Sequence, residues 1–219
     1  MKCAVRTLGD LAPDYVLAPE RHVLAAGAAT TGDGVPLGEL VVERRERIVP
    51  GDDLRRNGND AAIVLDTSHA RDGILDVAGA LRDGAGAKSA KKRAVAGDLV
   101  VSRLRPYLRQ IALVHPRALA LAGDRPLALS TEFYVLSPRS PGEDLAFLLP
   151  FLLSADAQSA LASAQEGGHH PRVPRASLFA LRVPKATMRT RAKTSRAVVQ
   201  ALAASYEASS ALRALLESD

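Results

Sequence analysis

Apolar residues fall along the chain in two textures. From residue 62 to residue 136 they come in short runs rich in Val, Ile or aromatics, bounded by Gly, Pro, Asp or Ser. Ala62–Leu65, Ile74–Val77, Leu99–Ser102, Ile111–Val114 and Phe133–Leu136 are the predicted strands. Gly97-Asp98 is the turn that launches the third of them. After Ser137-Pro138 the period lengthens. Leu145, Leu148, Leu149, Leu152 and Leu153 mark one face of a helix from Asp144 to Gln165. Ser154 to Ala157 kinks and recaps that helix, and Gly167-Gly168 ends it. Ala176–Leu181 predicts a short helix and Arg182-Val183-Pro184 an extended exit. Thr187 to Glu217 is Ala-rich and free of Gly and Pro. It predicts a final helix roughly 45 Å long, too long to bury all of itself. Ahead of these, Met1–Gly34 holds one or two helical turns interrupted by Pro13 and Pro19, then the linker Thr30–Gly34.

The expected architecture is α/β in the broad sense, α+β in detail. A small mixed or antiparallel sheet carries packed helices, and one long C-terminal helix follows. Residues 1–34 form the leading segment, 35–184 the main domain and 185–219 the C-terminal helix. No internal repeat interrupts this division.

Composition narrows the class. With 219 residues, 47% apolar and 24% charged, the chain is long enough for a real core, and wholesale disorder is excluded. The most apolar stretch, Leu145–Leu153, is half the roughly 18 residues of a membrane span. The first residues lack the apolar core of a signal peptide. The single cysteine, Cys3, excludes an internal disulfide and a cysteine zinc site. A cytoplasmic location is the expectation.

Charge is distributed unevenly. The net value is only +5, yet residues 85–125 hold nine Lys and Arg against two acids, and residues 167–196 hold eight against none. A GC-rich genome explains why Arg outnumbers Lys. It does not explain the segregation. If folding joins the two basic blocks, the resulting face suits a polyphosphate.

Catalytic signatures are missing. The sequence has no Walker-type glycine loop, no dinucleotide fingerprint and no Gly-x-Ser-x-Gly elbow. His169 and His170 are adjacent, so their side chains diverge and do not form a metal pair. Asp52-Asp53 and Glu143-Asp144 sit in turn-like contexts that suit caps better than Mg²⁺ ligation. The expectation is a protein without catalytic residues, metal or cofactor.

Gly97 to Val114 reads GDLVVSRLRPYLRQIALV, and Ser130 to Pro138 reads STEFYVLSP. LAFLLPFLLSADAQSALASAQEG follows, then GHHPRVPRASLFALRVP from Gly168 to Pro184. Leu37-Gly38-Glu39-Leu40 stands ahead, and Ala62 to Leu75 carries Asp66 and Gly73-Ile74. This order resembles the target-recognition domain of type I restriction–modification specificity (S) subunits, and related domains fused to some DNA methyltransferases. The resemblance spans roughly Val35 to Pro184. It implies sequence-specific recognition of double-stranded DNA with no chemistry in this chain. The implied partners are a DNA adenine methyltransferase and a restriction–translocase subunit. Full S subunits carry two such domains and two helical spacers. The single copy here implies a half-size subunit that dimerises or pairs. Val183-Pro184-Lys185-Ala186-Thr187 replaces the spacer's usual entrance motif.

DNA recognition needs groups that grip phosphates and groups that read base edges. Ser102, Arg103, Arg105, Tyr107 and Arg109 are candidates for both roles, because an arginine fork grips a guanine edge bidentately. The alternative is a set of solvated edge residues, with Tyr107 in the core. Lys88, Lys91, Lys92 and Arg93 form a flexible basic run suited to the phosphate backbone, or an ordinary solvated loop. His169, His170, Arg172 and Arg175 lie in a Gly-rich loop that the resemblance sets beside DNA, while structural histidines are the alternative. Glu132 is read as the partner of a nearby arginine rather than of a cytosine amino group. In the last helix Val199, Leu202, Tyr206, Leu212 and Leu216 form a broken apolar stripe, read as an interface with a second copy or a partner subunit. Two other classes stay open. One is a defence-system or mobile-element subunit that uses this fold for RNA, a guide complex or protein scaffolding. The other is a nuclease.

Overall fold

A computed structural model of the chain describes residues 33–49, 62–168 and 170–216. The expected leading segment before Asp33, Cys3, Asp52, Asp53 and His169 lie outside the described residues. In chain order, β1 (Gly34–Pro36) leads into the one-turn helix α1 (Leu37–Leu40), then β2 (Val41–Glu43) and β3 (Arg47–Ile48). Next come β4 (Ile63–Leu65), a 3-10 turn at Thr67–His69, β5 (Ala70–Arg71), β6 (Ile74–Leu75) and α2 (Val77–Asp83). β7 (Lys91–Ala94) and β8 (Leu99–Ser102) precede a second 3-10 turn, Pro106–Leu108, and β9 (Ile111–Leu113). α3 (Pro116–Ala122), β10 (Leu127–Leu129) and β11 (Phe133–Pro138) complete the strand-rich part. α4 (Leu148–Leu152), α5 (Ala155–Ser163), α6 (Arg175–Ala180), β12 (Arg182–Pro184), α7 (Lys185–Arg189) and α8 (Arg191–Leu216) follow.

Two four-stranded sheets form the centre. One is antiparallel, in the order β2-β11-β8-β9. The other, β3-β7-β10-β4, is mixed, because β10 runs parallel to β4 and antiparallel to β7. Two-stranded ribbons, β1-β12 and β5-β6, close the ends. The antiparallel sheet is buried on both faces. Every residue of β8 and β9 is buried, as are Phe133 to Ser137 of β11, which explains the continuous apolar runs. Helix α4 packs against its strand β9, and α5 packs against α4 and the Pro106–Leu108 turn. The α+β architecture with one long terminal helix is as expected.

Local chemistry fixes the corners. Gly73 adopts φ +96°, and a Cβ there would meet Leu149 Cδ2 at 2.9 Å. Its amide donates to the Ile111 carbonyl, and its carbonyl accepts from the Leu113 amide. A side chain at this position would be strained and would clash with the helix above. Asp98, almost fully buried after the Gly97 turn, accepts from Arg44 Nε at 2.8 Å, Ser137 Oγ at 2.7 Å and the Val95 amide at 2.9 Å. Its Arg44 partner is raised above the ordinary arginine value, chiefly by that bond.

Four expectations are corrected. The strand expected at Ile74–Val77 ends at Leu75, because the Asp76 carboxylate accepts from the Gly79 amide at 2.7 Å and opens α2. The helix expected from Asp144 begins at Leu148, and Asp144 caps the preceding turn through the Ala146 amide. The second segment recaps at Ser154, as anticipated. The run Lys91 to Arg93 lies in strand β7, paired on both sides, and is no flexible loop. The terminal helix is two helices, parted at Thr190. α8 alone has 26 residues, about 39 Å.

The apolar stripe of α8 divides in two. Leu202 and Tyr206 are buried against the chain's own body and Val199 packs on it, so a partner is not needed to cover them. Tyr206 stacks on His115 at 5.7 Å, and Arg117 pairs with Glu207 at 2.6 Å. Ser195 Oγ accepts from the Phe147 amide. Beyond Tyr206 the body ends, and Leu212, Leu215 and Leu216 are 59%, 69% and 71% exposed.

Candidate nucleic-acid interface

A buried tyrosine needs a partner for its oxygen. Tyr134, on the inner strand β11, donates to the Val173 carbonyl at 2.8 Å. That bond ties the strand to the loop before α6. The Val173 amide in turn donates to the Arg103 carbonyl, and the Arg103 amide to the Glu132 carbonyl. Leu104 bridges Arg172 in antiparallel fashion. Segments some 70 residues apart thus become one surface.

Cations gather around the Tyr134 ring. Arg103 Cζ lies 5.3 Å from its centroid and Lys92 Nζ 5.5 Å. Lys92 also pairs with Glu43 at 2.9 Å and donates to the Phe133 carbonyl, which leaves its side chain 13% exposed. Glu43 takes a second cation, Arg175, at 3.1 Å, and the Arg175 guanidinium lies 4.0 Å over the Phe179 ring. Arg172 forks onto Glu132, with contacts of 2.9 Å from Nε and 2.6 Å from Nη2. Nη1 of Arg172 donates to the His170 carbonyl. That pairing agrees with the reading of Glu132 as an arginine's partner.

The electrostatics follow from this crowding. The Arg172 guanidinium holds the Glu132 carboxyl below the usual carboxylate range, against a desolvation that would raise it. Arg103 and Lys92 lower it further. Burial pushes the Tyr134 phenol up, so the hydroxyl keeps the proton that it donates to the Val173 carbonyl. Four cations face two carboxylates here, and the patch keeps a positive excess. Nε of Arg103 is buried without a hydrogen-bond partner among the described residues.

The remaining expected residues divide. Lys88 and Arg105 are exposed. Arg93 is exposed on β7, with Nε 3.8 Å from Glu46. Lys91 is half-buried and donates to Ser89 Oγ. Tyr107 is 69% exposed at the tip of the turn after β8, so it is not core. His170 is exposed. One residue is corrected. Ser102 is buried, and its hydroxyl exchanges hydrogen bonds with the Leu104 amide and carbonyl at 3.1 Å, so it shapes the turn and reaches no ligand. Arg109 is exposed, and its guanidinium reaches Asp72 and the Leu153 carbonyl at 2.8 Å, so it also anchors the turn.

Sequence reasoning missed Glu43 and Tyr134 as the organisers. For Tyr134 a signal existed, since a Tyr within an apolar run must place its hydroxyl. Glu43 carried none, because its partners lie 49 and 132 residues away. Among the described residues, no three His, Cys, Asp or Glu side chains are grouped to hold a metal. No described helix is long and apolar enough to cross a membrane.

No family model and no curated protein matches the chain. Solved structures that align with it include the following two. One comes from work on complex assembly and conformational transition of the type I R-M system. It aligns with a TM-score of 0.49 and 23% identity, over 85% of this chain and 46% of its own. The other is the HsdS subunit from Thermoanaerobacter tengcongensis, with a TM-score of 0.45 and 23% identity over 84% of this chain and 45% of its own. The chain therefore spans less than half the length of each.

Proposed function

We propose that the chain recognises a short duplex DNA sequence, performs no chemistry itself, and directs a partner adenine methyltransferase and a restriction–translocase complex to that site. The observation that carries this reading is the meeting of two separate basic blocks around Tyr134. Lys92 and Arg103 come from one block, Arg172 and Arg175 from the other. A convergent cationic face fits a polyphosphate, and its fixed guanidiniums fit base-edge reading. Carboxylates hold Arg172 and Arg175 in place and limit the entropy lost on contact. Lys88, Arg93 and Arg105 are exposed and would supply phosphate contacts.

In this reading residues 35–184 are the recognition domain and the end of α8 is the assembly surface. Leu212 and Leu216, beyond the body, would meet a helix of a second copy or of a partner subunit. Selection from a randomised duplex pool tests recognition. One enriched short sequence with a steep salt dependence is expected, and sequence-indifferent binding, or preference for RNA of the same sequence, would overturn it. Arg103→Ala should weaken the enriched duplex more than a scrambled one. Truncation after Ser210 tests assembly by light scattering, since it removes the distal leucines and spares Tyr206.

A further inference from the structure

The turn between β8 and β9 is built in an unusual way. Arg105 and Arg109, which bracket the 3-10 turn Pro106–Leu108, both adopt left-handed backbone, at φ 43° and 53°. Neither is glycine, so each position is strained by its Cβ. Strain of this kind persists only where the surroundings over-determine it. They do so here on both sides. Ser102 Oγ locks Leu104 on the ascending side, and Pro106 is buried beneath. On the descending side the Arg109 guanidinium binds Asp72 and the Leu153 carbonyl, while the Asp72 amide donates to the Arg109 carbonyl. Asp72 is itself left-handed, at φ 48°. Three strained residues thus hold one turn. At its tip stands Tyr107, 69% exposed, with the exposed Arg105 beside it. A bulky aromatic side chain held in water on a rigid turn has no use in the fold, and an aromatic face with a neighbouring guanidinium matches a nucleic-acid groove.

We infer that the Arg105–Arg109 turn is a preformed finger that enters a groove of the duplex and lays the Tyr107 ring against sugar and base edges. Arg105 takes the adjacent phosphate. The inference rests on the DNA reading above and adds a specificity-determining residue to it. Because the finger is rigid before contact, its insertion costs little ordering. Asp72 is then a positioning residue. It acts through Arg109 and never touches the nucleic acid.

Binding of wild type, Tyr107→Ala, Tyr107→Phe and Asp72→Gly to the enriched duplex and to a scrambled one decides the matter. Tyr107→Ala should weaken the enriched duplex about tenfold and the scrambled one far less, whereas Tyr107→Phe stays within about twofold. Asp72→Gly opposes two explanations. Loss of a carboxylate beside a polyanion tightens binding if only charge matters. Loss of the finger's anchor weakens it. Glycine suits the left-handed backbone at this position, and Tyr107 is exposed, so both variants fold, as thermal melting would verify. Equal binding by Tyr107→Ala, or unchanged or tighter binding by Asp72→Gly, would overturn the finger. A wild-type chain that prefers no duplex would sink the recognition reading itself.

Discussion

The Tyr206 hydroxyl forms a reciprocal pair of hydrogen bonds with Leu75, accepting from its amide at 2.9 Å and donating to its carbonyl at 3.1 Å. Two backbone groups at the end of a short strand are thereby satisfied by a helix 131 residues later. Burial pushes the phenol up, so the proton needed for donation stays in place. Tyr206→Phe should cost about 1–3 kcal/mol, because it leaves both Leu75 groups buried and unpaired. Urea unfolding measures it. A variant as stable as wild type would mean that α8 is not clamped here.

Arg44 and Asp98 join the edge strand to the centre of the antiparallel sheet. Removing one partner of a buried pair is costly, since the other is left without compensation. Arg44 keeps 18% of its side-chain exposure, so part of that penalty is relieved by water. Asp98→Asn should lower stability by about 2–3 kcal/mol. Chemical denaturation that shows less than half of this would place the pair among ordinary surface bridges.

Two lysines of one basic run should behave differently. Lys92 bridges the two sheets through Glu43 and the Phe133 carbonyl, whereas Lys88 is exposed. Lys92→Ala should destabilise the fold by about 1–2 kcal/mol. Lys88→Ala should leave melting unchanged and lower the salt slope of duplex binding by about one. Equal melting temperatures for the two variants would contradict this assignment.

His115 makes the clamp sensitive to acid. Its Nδ1 accepts from the Arg117 amide at 3.1 Å, and the ring stacks on Tyr206. Burial lowers the imidazole pKa, the Val199 carbonyl opposes that, and the Arg117 charge lowers it further. The folded value thus lies below the unfolded one of about 6.5. Above that value both states are neutral. As pH falls below it, the unfolded chain takes up the proton first, and stability declines. Asn at this position keeps an acceptor for the Arg117 amide without titrating. Melting temperatures from pH 7.5 to 5.5 should fall more for wild type than for His115→Asn. Parallel curves would exclude the histidine as the cause.

What the sequence disclosed follows from burial. β8 and β11 are covered on both faces, so Leu99 to Val101 and Phe133 to Leu136 are unbroken apolar runs that read as strands at once. β7 is Lys-Lys-Arg-Ala and reads as a loop, because what makes it a strand is Glu43 and the pairing with Arg47 and Leu129. The α8 stripe was legible as apolar, yet the pattern does not say which molecule covers it. Leu202 and Tyr206 are buried against the chain's own body, Tyr206 on residues 75 and 115, whereas Leu212 and Leu216 are exposed. Candidate contacts carried the same ambiguity. An arginine's charge is visible in sequence, but Arg109 and Arg103 differ only in what surrounds them.

The ribbon of β1 and β12 sets Gly34 opposite Pro184 and Pro36 opposite Arg182. Everything from α1 to α6 therefore leaves and returns through one doorway two strands wide. Such a unit is topologically a closed ring with a single seam. It can be spliced into a longer polypeptide, or exchanged for another of its kind, without lengthening the path between what stands before and after it. The same seam delays its completion on the ribosome, because β1 has no partner until residue 184 has emerged.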